Sequence, residues 1–414
     1  MSAQAAQVSE ASEAGPVAPG LAGALFAGAL RHPHRTLLRD AGDRAAWSGR
    51  PAITWTYATA AEIVGRLARG IGLWRLPAGS RIGLSFAGGA EATLAYLAVE
   101  AAGHLPCLFS PLWEPDDLSA AIETAGLVAI LTEGRRGARR PANEFSEAAI
   151  RHFSLRFIAA FGPSLPDGVI SLDAMALERG IDDPRPSPGV VTFAGGNPHR
   201  PIHRTAEALD AAIAAHRECL PGVDRILTLL PGHDLRGLVT GPGTALTSGA
   251  LLETLIPADA SALRATLVRP VPTRLVVPVA FEAAVTGLPL PWTVRAIDVV
   301  HRAPARLPRP AASDFAGPPR LDVLVLDEDA VLTRPRGRWH FPVEDEAGSE
   351  QGGSARSPNL IRRKHDGRLL VEGLACRTAS LQRGRHNLNE ASSRRETTYR
   401  LADSGDDPLV LPVG

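Results

Sequence analysis

Apolar and polar residues follow two different periods in the first third of the chain. Short apolar runs such as Ile82-Gly83-Leu84 have the length of a strand, whereas Ile63, Leu67 and Ile71 recur at helical spacing. The first pattern indicates a buried strand and the second an amphipathic helix. The predicted strands are 53–57, 81–86, 105–109 and 127–131, and the predicted helices are 21–30, 60–74, 90–102 and 116–125.

The same alternation resumes after a proline-rich stretch at 184–188. A strand at 190–193 precedes a helix at 205–218. Strands that alternate with helices at this interval are typical of parallel sheets with helices on both faces. The sequence therefore predicts an α/β fold of mostly parallel sheets covered by helices. Further strands are predicted at 226–230, 275–277, 294–299 and 321–326.

The two ends of the chain lack this periodic pattern. Residues 1–20 are rich in Ala, Ser, Glu, Gln, Gly and Pro, a composition that predicts a disordered leader. The apolar stretch at 21–30 has no basic start, so it indicates a short helix rather than a secretory signal. Towards the other end, only 367–373 has the character of a strand beyond residue 343. The domain prediction is a first α/β subdomain at 21–188, a second at 189–343 with a phosphate loop, and a linker with a poorly structured remnant at 344–414.

Charge and cysteine content exclude several classes of protein. The 44 basic residues balance 44 acidic ones, so no overall field attracts nucleic acid or an anionic membrane. Cys107, Cys219 and Cys376 form neither a CxxC pair nor a disulfide framework, as expected in a reducing compartment. No uninterrupted apolar run approaches the roughly 18 residues of a membrane-spanning helix. We therefore expect a cytoplasmic protein with no transmembrane segment and no nucleic-acid partner.

Lysine is almost absent, since Lys364 is the single lysine among the 44 basic residues. A GC-rich genome replaces lysine by arginine across protein surfaces without functional meaning, and this bias accounts for most of the count. It accounts less well for a lysine missing from a motif. Arginine does not replace a compact ammonium group in a phosphate site.

The segment between the strand at 190–193 and the helix at 205–218 is a candidate phosphate loop. Backbone N–H groups converge in such loops, and the following helix N-terminus favours an anion. Gly195 and Gly196 permit close approach of the backbone, while Arg200 and Arg204 add positive charge. A Gly-Gly turn in an α/β protein is more often only a turn, so this segment alone is a weak indication.

Several blocks of sequence resemble the adenylate-forming superfamily, which includes acyl-CoA synthetases and related AMP-binding ligases. The resemblance extends over residues 25–345, and the spacing around the loop is most similar to the AMP-ligases of aryl-polyene clusters. The blocks are TWTY at 54–57, LARG at 67–70, PAGSRIGL at 77–84, AVEAAGHLP at 98–106, LLPGHDLRG at 229–237 and VPVAF at 277–281.

This resemblance implies the fold of the large N-terminal domain of these enzymes, with the C-terminal lobe truncated or missing. The implied reaction is the ATP-dependent activation of a small carboxylic acid to an acyl-adenylate. The thiol of coenzyme A or of an acyl carrier protein is the implied acceptor. No catalytic residue is identified. The implied site residues are Gly195, Gly196, Arg200 and Arg204 for ATP, His233 and Gly237 for the acid, and Glu328 for Mg²⁺.

The sequence departs from the family pattern inside the motifs. Asn197 and Pro198 stand where hydroxyl side chains usually contact phosphate, and Ile202 stands where the family has a lysine. Proline also lacks an N–H donor. Asp327 takes the place of a threonine beside Glu328. These departures predict reduced or no activity.

Two alternatives stand beside a divergent ligase. The first is a non-catalytic acyl-binding or scaffold subunit of a biosynthetic complex. An active ligase, in contrast, would need a separate partner subunit to complete its site. The remote second is an α/β serine hydrolase. GLSFAG at 83–88 resembles a nucleophile elbow around Ser85, with its second glycine one position late. Its histidine would be His233 or His301.

Overall fold

The computed structural model describes residues 20–181, 184–219, 222–256, 260–306, 317–336, 343–345, 360–363, 368–381, 392, 394–404 and 407–412. The predicted leader therefore lies outside the described residues except for Gly20, and Lys364 lies outside them too. The described strands form two eight-stranded sheets and one six-stranded sheet.

The elements are numbered along the chain. The strands are β1 (Thr36–Asp40), β2 (Thr54–Thr56), β3 (Arg81–Ser85), β4 (Leu105–Leu108), β5 (Ala129–Glu133), β6 (Phe157–Phe161), β7 (Ile170–Ser171), β8 (Val190–Phe193), β9 (Pro201–Arg204), β10 (Arg225–Thr228), β11 (Leu251–Thr254), β12 (Thr273–Pro278), β13 (Val294–Arg302), β14 (Ala305–Arg306), β15 (Arg320–Leu326), β16 (Ala330–Pro335), β17 (Val343–Asp345), β18 (Leu360–Arg363), β19 (Arg368–Glu372), β20 (Thr378–Ser380), β21 (Arg394–Ser404) and β22 (Asp407–Pro412). The helices are α1 (Leu21–Arg31), α2 (Arg44–Ser48), α3 (Tyr57–Gly72), α4 (Ala90–Ala101), α5 (Pro115–Ala125), α6 (Pro141–Ala149), α7 (Leu172–Leu177), α8 (Ala206–Glu218), α9 (Leu235–Leu238), α10 (Thr244–Ser248), α11 (Ala260–Leu267) and α12 (Glu282–Thr286).

The first sheet has the order β20-β9-β8-β4-β3-β5-β6-β7 and is parallel from β8 to β7. Helices cover both of its faces. Leu131 of β5 joins the core beneath α3 and α4, whereas Ile130 points to the opposite core with Phe145 of α6. Successive side chains of a strand point to opposite faces, so an unbroken apolar run is what a doubly covered strand requires.

The second sheet has the order β16-β15-β13-β12-β10-β11-β1-β2 and is parallel from β15 to β1. Its residues also alternate between two cores. Ile226 and Val276 join the core shared with the first sheet, while Leu227 joins the core against α11. The predicted α/β fold of mostly parallel, helix-covered sheets is confirmed.

Helix α3 illustrates how local sequence determines an element. The Thr56 hydroxyl accepts a hydrogen bond from the backbone N–H of Thr59 at 3.2 Å, which satisfies one of the free donors at the helix start. The predicted apolar face lies inward, with Leu67 and Ile71 fully buried and Ile63 packed against the same core. The helix begins three residues earlier than the apolar spacing indicated.

The candidate phosphate loop differs from its prediction, because a further strand precedes the helix. β8 and β9 form an antiparallel hairpin in which Val191 pairs with His203 and Phe193 with Pro201. His203 and Arg204 are almost fully buried in β9. Because these two side chains are polar, no apolar pattern in the sequence indicated a strand here.

The region predicted as a linker and poorly structured remnant also differs from the structure. It contributes β17, β18, β19, β21 and β22 to the six-stranded sheet, of order β14-β22-β21-β19-β18-β17, and β20 to the first sheet. Leu369 and Val371 of β19 pack against Leu324 and Leu326 of β15. The strands therefore share a core with the second sheet, although the region is too small to form one alone. The division of the chain into domains stays a prediction.

The carboxyl ends of β8, β10 and β15 lead into segments that carry residues of the predicted site. Ligands of parallel α/β sheets generally bind at these ends. Among the helices of the described ranges, none combines the length and the apolar character that a membrane crossing requires.

Candidate functional site

Two acidic residues follow β15 in a conformation that side chains seldom adopt. The φ angles are +47° at Asp327 and +63° at Glu328. The left-handed region costs a non-glycine residue about 1–2 kcal/mol. Arg204 stabilises this turn from below, because its Nη2 donates to the carbonyl oxygens of Glu328 at 2.9 Å and Asp329 at 2.7 Å. The buried Arg204 therefore has a structural role that the sequence did not predict. Its predicted contact with ATP stays a prediction.

The buried carboxylate of Glu328 has a partner on each oxygen. Its Oε2 accepts from the backbone N–H of Leu235 at 2.7 Å, and its Oε1 accepts from Nη2 of Arg302 at 2.5 Å. The same nitrogen of Arg302 lies 3.6 Å from Oδ2 of Asp234. A guanidinium from the end of β13 therefore lies between two carboxylates.

Asp234 caps the helix α9 and fixes the loop before it. Its Oδ1 accepts from the backbone N–H of Gly237 at 3.0 Å, and its Oδ2 accepts from Nη2 of Arg236 at 2.6 Å. Gly237 is required by packing, since a Cβ at this position would lie 2.0 Å from the carbonyl oxygen of Pro231. The predicted contact of Gly237 with substrate stays a prediction.

The loop at 194–200 lies beside this cluster. Gly195 and Gly196 adopt φ angles of +61° and +74°, which favour glycine. The indole N–H of Trp113 donates to the carbonyl oxygen of Gly196 at 3.1 Å. Nη2 of Arg200 donates to Oδ2 of Asp327 at 2.7 Å, which joins the loop to the turn after β15. The structure thus brings Gly195, Gly196 and Arg200 together with the turn that carries Glu328.

Two adjoining cavities meet at His233. The larger comprises about 620 Å³ of space between atoms, open solvent at its mouth included, and its walls are formed mainly by apolar side chains from the end of β3, from α4 and from the end of β10. The smaller comprises about 270 Å³ on the same basis and is lined by Ser110, Trp113, Phe193, Gly196, Asp234 and Arg302. His233 and Leu108 line both cavities. A molecule with an apolar body and a polar head fits this arrangement.

Burial and neighbouring charges set the ionisation of the cluster. Burial lowers the pKa of His233, so its imidazole is neutral near pH 7. Burial favours the neutral form of Asp234, yet the charge of protonated His233, followed by the permanent charges of Arg236 and Arg302, holds the pKa of this carboxyl well below its usual range. Burial and then the charge of Asp234 raise the pKa of Glu328, against the opposing effect of Arg302.

Two polar atoms of the residues that line the smaller cavity have no hydrogen-bond partner among the described residues. They are Nδ1 of His233 and Nε of Arg302. A buried polar atom without a partner is costly, and it is often satisfied by a ligand or water. Both residues line the smaller cavity. The polar head of a ligand there would find two unused hydrogen-bonding groups.

The residues around Glu328 do not fit the Mg²⁺ ion that the resemblance implied. Mg²⁺ demands oxygen ligands in octahedral directions at about 2.0–2.1 Å. One oxygen of Glu328 is bound to a backbone N–H, and a guanidinium lies against the other. Within the part of the chain that the structure describes, no group of three or more His, Cys, Asp or Glu side chains is placed to hold a metal ion. The predicted metal role of Glu328 therefore receives no support.

The contacts of Ser85 do not resemble those of a hydrolase nucleophile. Ser85 ends β3 almost fully buried, and its Oγ accepts from Nη2 of Arg136 at 3.2 Å. His301, one of the two candidate histidines, is buried with its Nε2 3.2 Å from Oδ1 of Asp322. These contacts do not favour the hydrolase alternative.

Arg302, Asp234 and Trp113 were not predicted as site residues. One signal for Arg302 was available, because it lies three residues after the end of the strand predicted at 294–299, on the side where ligands of such sheets bind. No signal in the sequence could have paired it with Glu328. That pairing depends on the register of β13 beside β15.

Comparison with known proteins identifies the fold. No family model and no curated protein matches the chain. Among solved structures, a benzoate CoA ligase from Burkholderia xenovorans LB400 is 14% identical with a TM-score of 0.70, over 95% of this chain and 80% of that one. The N-terminal domain of FACL13 from Mycobacterium tuberculosis is also 14% identical with a TM-score of 0.70, over 95% of this chain and 99% of that one. The O-succinylbenzoate coenzyme A synthetase of Bacillus subtilis, in complex with ATP and magnesium, is 14% identical with a TM-score of 0.66, over 95% and 99%.

These similarities define the class of fold. The chain has the fold of the adenylate-forming ligases and matches almost the whole length of an N-terminal domain of that class. The fold that the sequence resemblance implied is therefore confirmed.

Proposed function

We propose that this protein binds a small carboxylic acid with an apolar body and activates it slowly or not at all. The observation that carries the proposal is the pair of cavities that meet at His233, in a fold that carboxylate-activating ligases share. The apolar body occupies the larger cavity. The carboxylate occupies the smaller one, where His233 and Arg302 supply hydrogen-bonding groups.

The reduced activity follows from the residues around the loop. The ancestral reaction joins a carboxylate to the α-phosphate of ATP, and such chemistry depends on positioned positive charge. Here Pro198 lacks an N–H donor, and Arg200 is already paired with Asp327. We place any bound ATP at Gly195, Gly196 and Arg200. If an acyl-adenylate forms, its acceptor is the thiol of coenzyme A or of a carrier protein.

A binding titration tests the first half of the proposal. Benzoate and octanoate are titrated into the protein without nucleotide and followed by calorimetry. We expect at least one to bind with a dissociation constant below about 1 mM, equivalent to about 4 kcal/mol. Ala92→Phe places a ring in the larger cavity, which Ala92 lines, and should weaken binding at least about tenfold, or 1.4 kcal/mol. Ala92→Ser is the matched control, and the absence of binding by any acid of a wider panel would contradict the proposal.

A pyrophosphate-release assay with Mg-ATP tests the second half. The same acids are supplied, and the benzoate CoA ligase serves as the positive control. Loss of positioned donors around a developing charge typically lowers a rate about 100-fold to 1,000-fold. We expect a rate at least about 100-fold below that of the control, with weak or no heat of Mg-ATP binding. A rate within tenfold of the control would show an active ligase instead.

A further inference from the structure

The side chain of Arg302 takes a position that a metal ion would otherwise need. Its Nη2 lies 2.5 Å from Oε1 of Glu328 and 3.6 Å from Oδ2 of Asp234. Two carboxylates that converge on one point from separate elements are the usual framework for a hard divalent cation. In this protein the point is occupied by the protein's own guanidinium.

We propose that Arg302 is the resident cation of this site, so that the protein holds its ligand without a divalent metal. The charge of the surrounding side chains agrees with this assignment. The cations are Arg200, Arg236 and Arg302, and the anions are Asp234, Asp327 and Glu328, each in contact with one of those arginines. The cluster is neutral by itself, and an added divalent ion would carry an uncompensated charge beside a guanidinium.

The pairing of two strands and the turn after one of them fix the position of Arg302 beside Glu328. The residue ends β13, while Glu328 lies in the left-handed turn after β15, which Arg204 stabilises. β13 and β15 are paired in parallel, and Arg302 itself stands in register with Val325. A planar guanidinium has five donors in a fixed geometry, which suits it to join two carboxylates and a ligand at once.

One consequence concerns the ligand of the smaller cavity and rests on the proposed function. Nε of Arg302 has no partner among the described residues, and Arg302 lines that cavity. A carboxylate head bound there lies beside the guanidinium of Arg302. Binding of the acid should therefore be the same in Mg²⁺ and in EDTA, and Arg302→Met should weaken it about tenfold or more, or 1.4 kcal/mol.

Titration with Mn²⁺ alone, followed by electron paramagnetic resonance, tests the resident cation without acid or nucleotide. The variants are Arg302→Ala, which removes the guanidinium from between the two carboxylates, and Arg302→Ala with Glu328→Gln, which also removes one carboxylate. In both variants Asp234 keeps its contact with Arg236. The wild-type protein should bind no Mn²⁺ with a dissociation constant below about 1 mM, a threshold of about 4 kcal/mol. Arg302→Ala should gain a site at least tenfold tighter, and the double variant should lose it again.

Two outcomes would overturn the proposal. One is a wild-type Mn²⁺ site that disappears in Glu328→Gln, and the other is a folded Arg302→Ala variant that gains no site. If Arg302→Ala fails to fold by circular dichroism, Arg302→Met, which keeps the length of the side chain without its charge, replaces it in the same titration, and a folded Arg302→Met variant that gains no site would overturn the proposal. Because this titration contains no acid, its failure is distinguishable from failure of the proposed acid binding.

Discussion

Two guanidinium–carboxylate pairs on the same strand have different surroundings. Asp298, in the middle of β13, pairs with Arg274 of β12, whose Nε donates to Oδ2 at 2.5 Å while its Nη2 donates to the other oxygen. Both side chains are fully buried. Arg302, at the end of the same strand, pairs with Glu328 but keeps 23% of its side chain exposed.

The contrast distinguishes an ion pair that only connects parts of the fold from an ion pair placed where a ligand could contact it. Side chains at 298 and 302 point to the same face of β13, because strand residues alternate with a period of two. The Arg274–Asp298 pair connects neighbouring strands and has no cavity beside it among the two that the structure describes. The Arg302–Glu328 pair connects a strand end, a strained turn and a helix start, and it borders a cavity. The position of each residue along β13 therefore determines whether its ion pair can contact a ligand.

The largest expected effect comes from breaking the structural pair. Asp298→Ala leaves the guanidinium of Arg274 buried and unpaired, which should lower the free energy of unfolding by about 3–5 kcal/mol. Urea denaturation measures it. The double change Arg274→Met with Asp298→Leu is the control and should be far less damaging, since neither charge remains. A loss below about 1 kcal/mol for Asp298→Ala would remove the distinction between the pairs.

A buried carboxylate with no guanidinium partner among the described residues sharpens the comparison. Glu100 accepts from the backbone N–H of Ala22 and from Oγ of Ser187, both at 2.6 Å. Burial raises the pKa of Glu100 to about 7. A raised pKa in the folded state means that unfolding releases a proton, so stability is complete at low pH and is lost as the pH rises through about 7.

We expect the free energy of unfolding to fall by about 2 kcal/mol from this group between pH 5.5 and pH 8.5. Glu100→Gln cannot ionise and should remove that part of the pH dependence. Denaturation of both proteins at the two pH values measures the difference. Equal pH dependence in wild type and variant would show that Glu100 titrates normally.

The smallest effect is expected at the ion pair of the loop, in which one partner is exposed. Arg200 donates to Asp327 at 2.7 Å, and 48% of the Arg200 side chain is exposed while that of Asp327 is almost fully buried. Exposed ion pairs contribute about 0–1 kcal/mol, so with one partner exposed we expect Arg200→Ala to lower the free energy of unfolding by about 1 kcal/mol. Repeating the denaturation in 0.5 M salt should reduce the difference further, because salt screens exposed charges. A larger, salt-independent loss would place Arg200 among the structural residues.

The sequence predicted those strands and helices in which the spacing of the apolar residues and the preferences of the local residues indicate the same element. The strand at 190–193 coincides with β8, and the strand at 321–326 lies within β15. β9 was missed because His203 and Arg204 are buried by long-range hydrogen bonds rather than by apolar character. Of the described strands beyond 343, β19 lies within the strand predicted at 367–373, and the others were missed because the core of this region is shared with β15.

The site was predictable only in part, for a related reason. Sequence blocks placed Gly195, Gly196, Arg200 and Glu328 in one site, and the structure brings their segments together. The partner of Glu328 could not be predicted, because Arg302 lies 26 positions away in sequence and meets it only through the pairing of two strands. A sequence motif can identify the residues of a site. The charge state of those residues depends on side chains from other strands and helices, which the motif does not contain.

The hydrogen bond from the Trp113 indole to the Gly196 carbonyl gives the molecule an intrinsic optical signal. Trp113 lines the smaller cavity and makes an edge contact with Phe193 at 4.9 Å between ring centroids. Indole emission shifts in wavelength with the polarity around the ring. Subtracting the spectrum of Trp113→Phe from that of the wild type would isolate this one fluorophore, so that filling of the cavity could be followed in real time without a dye or a label.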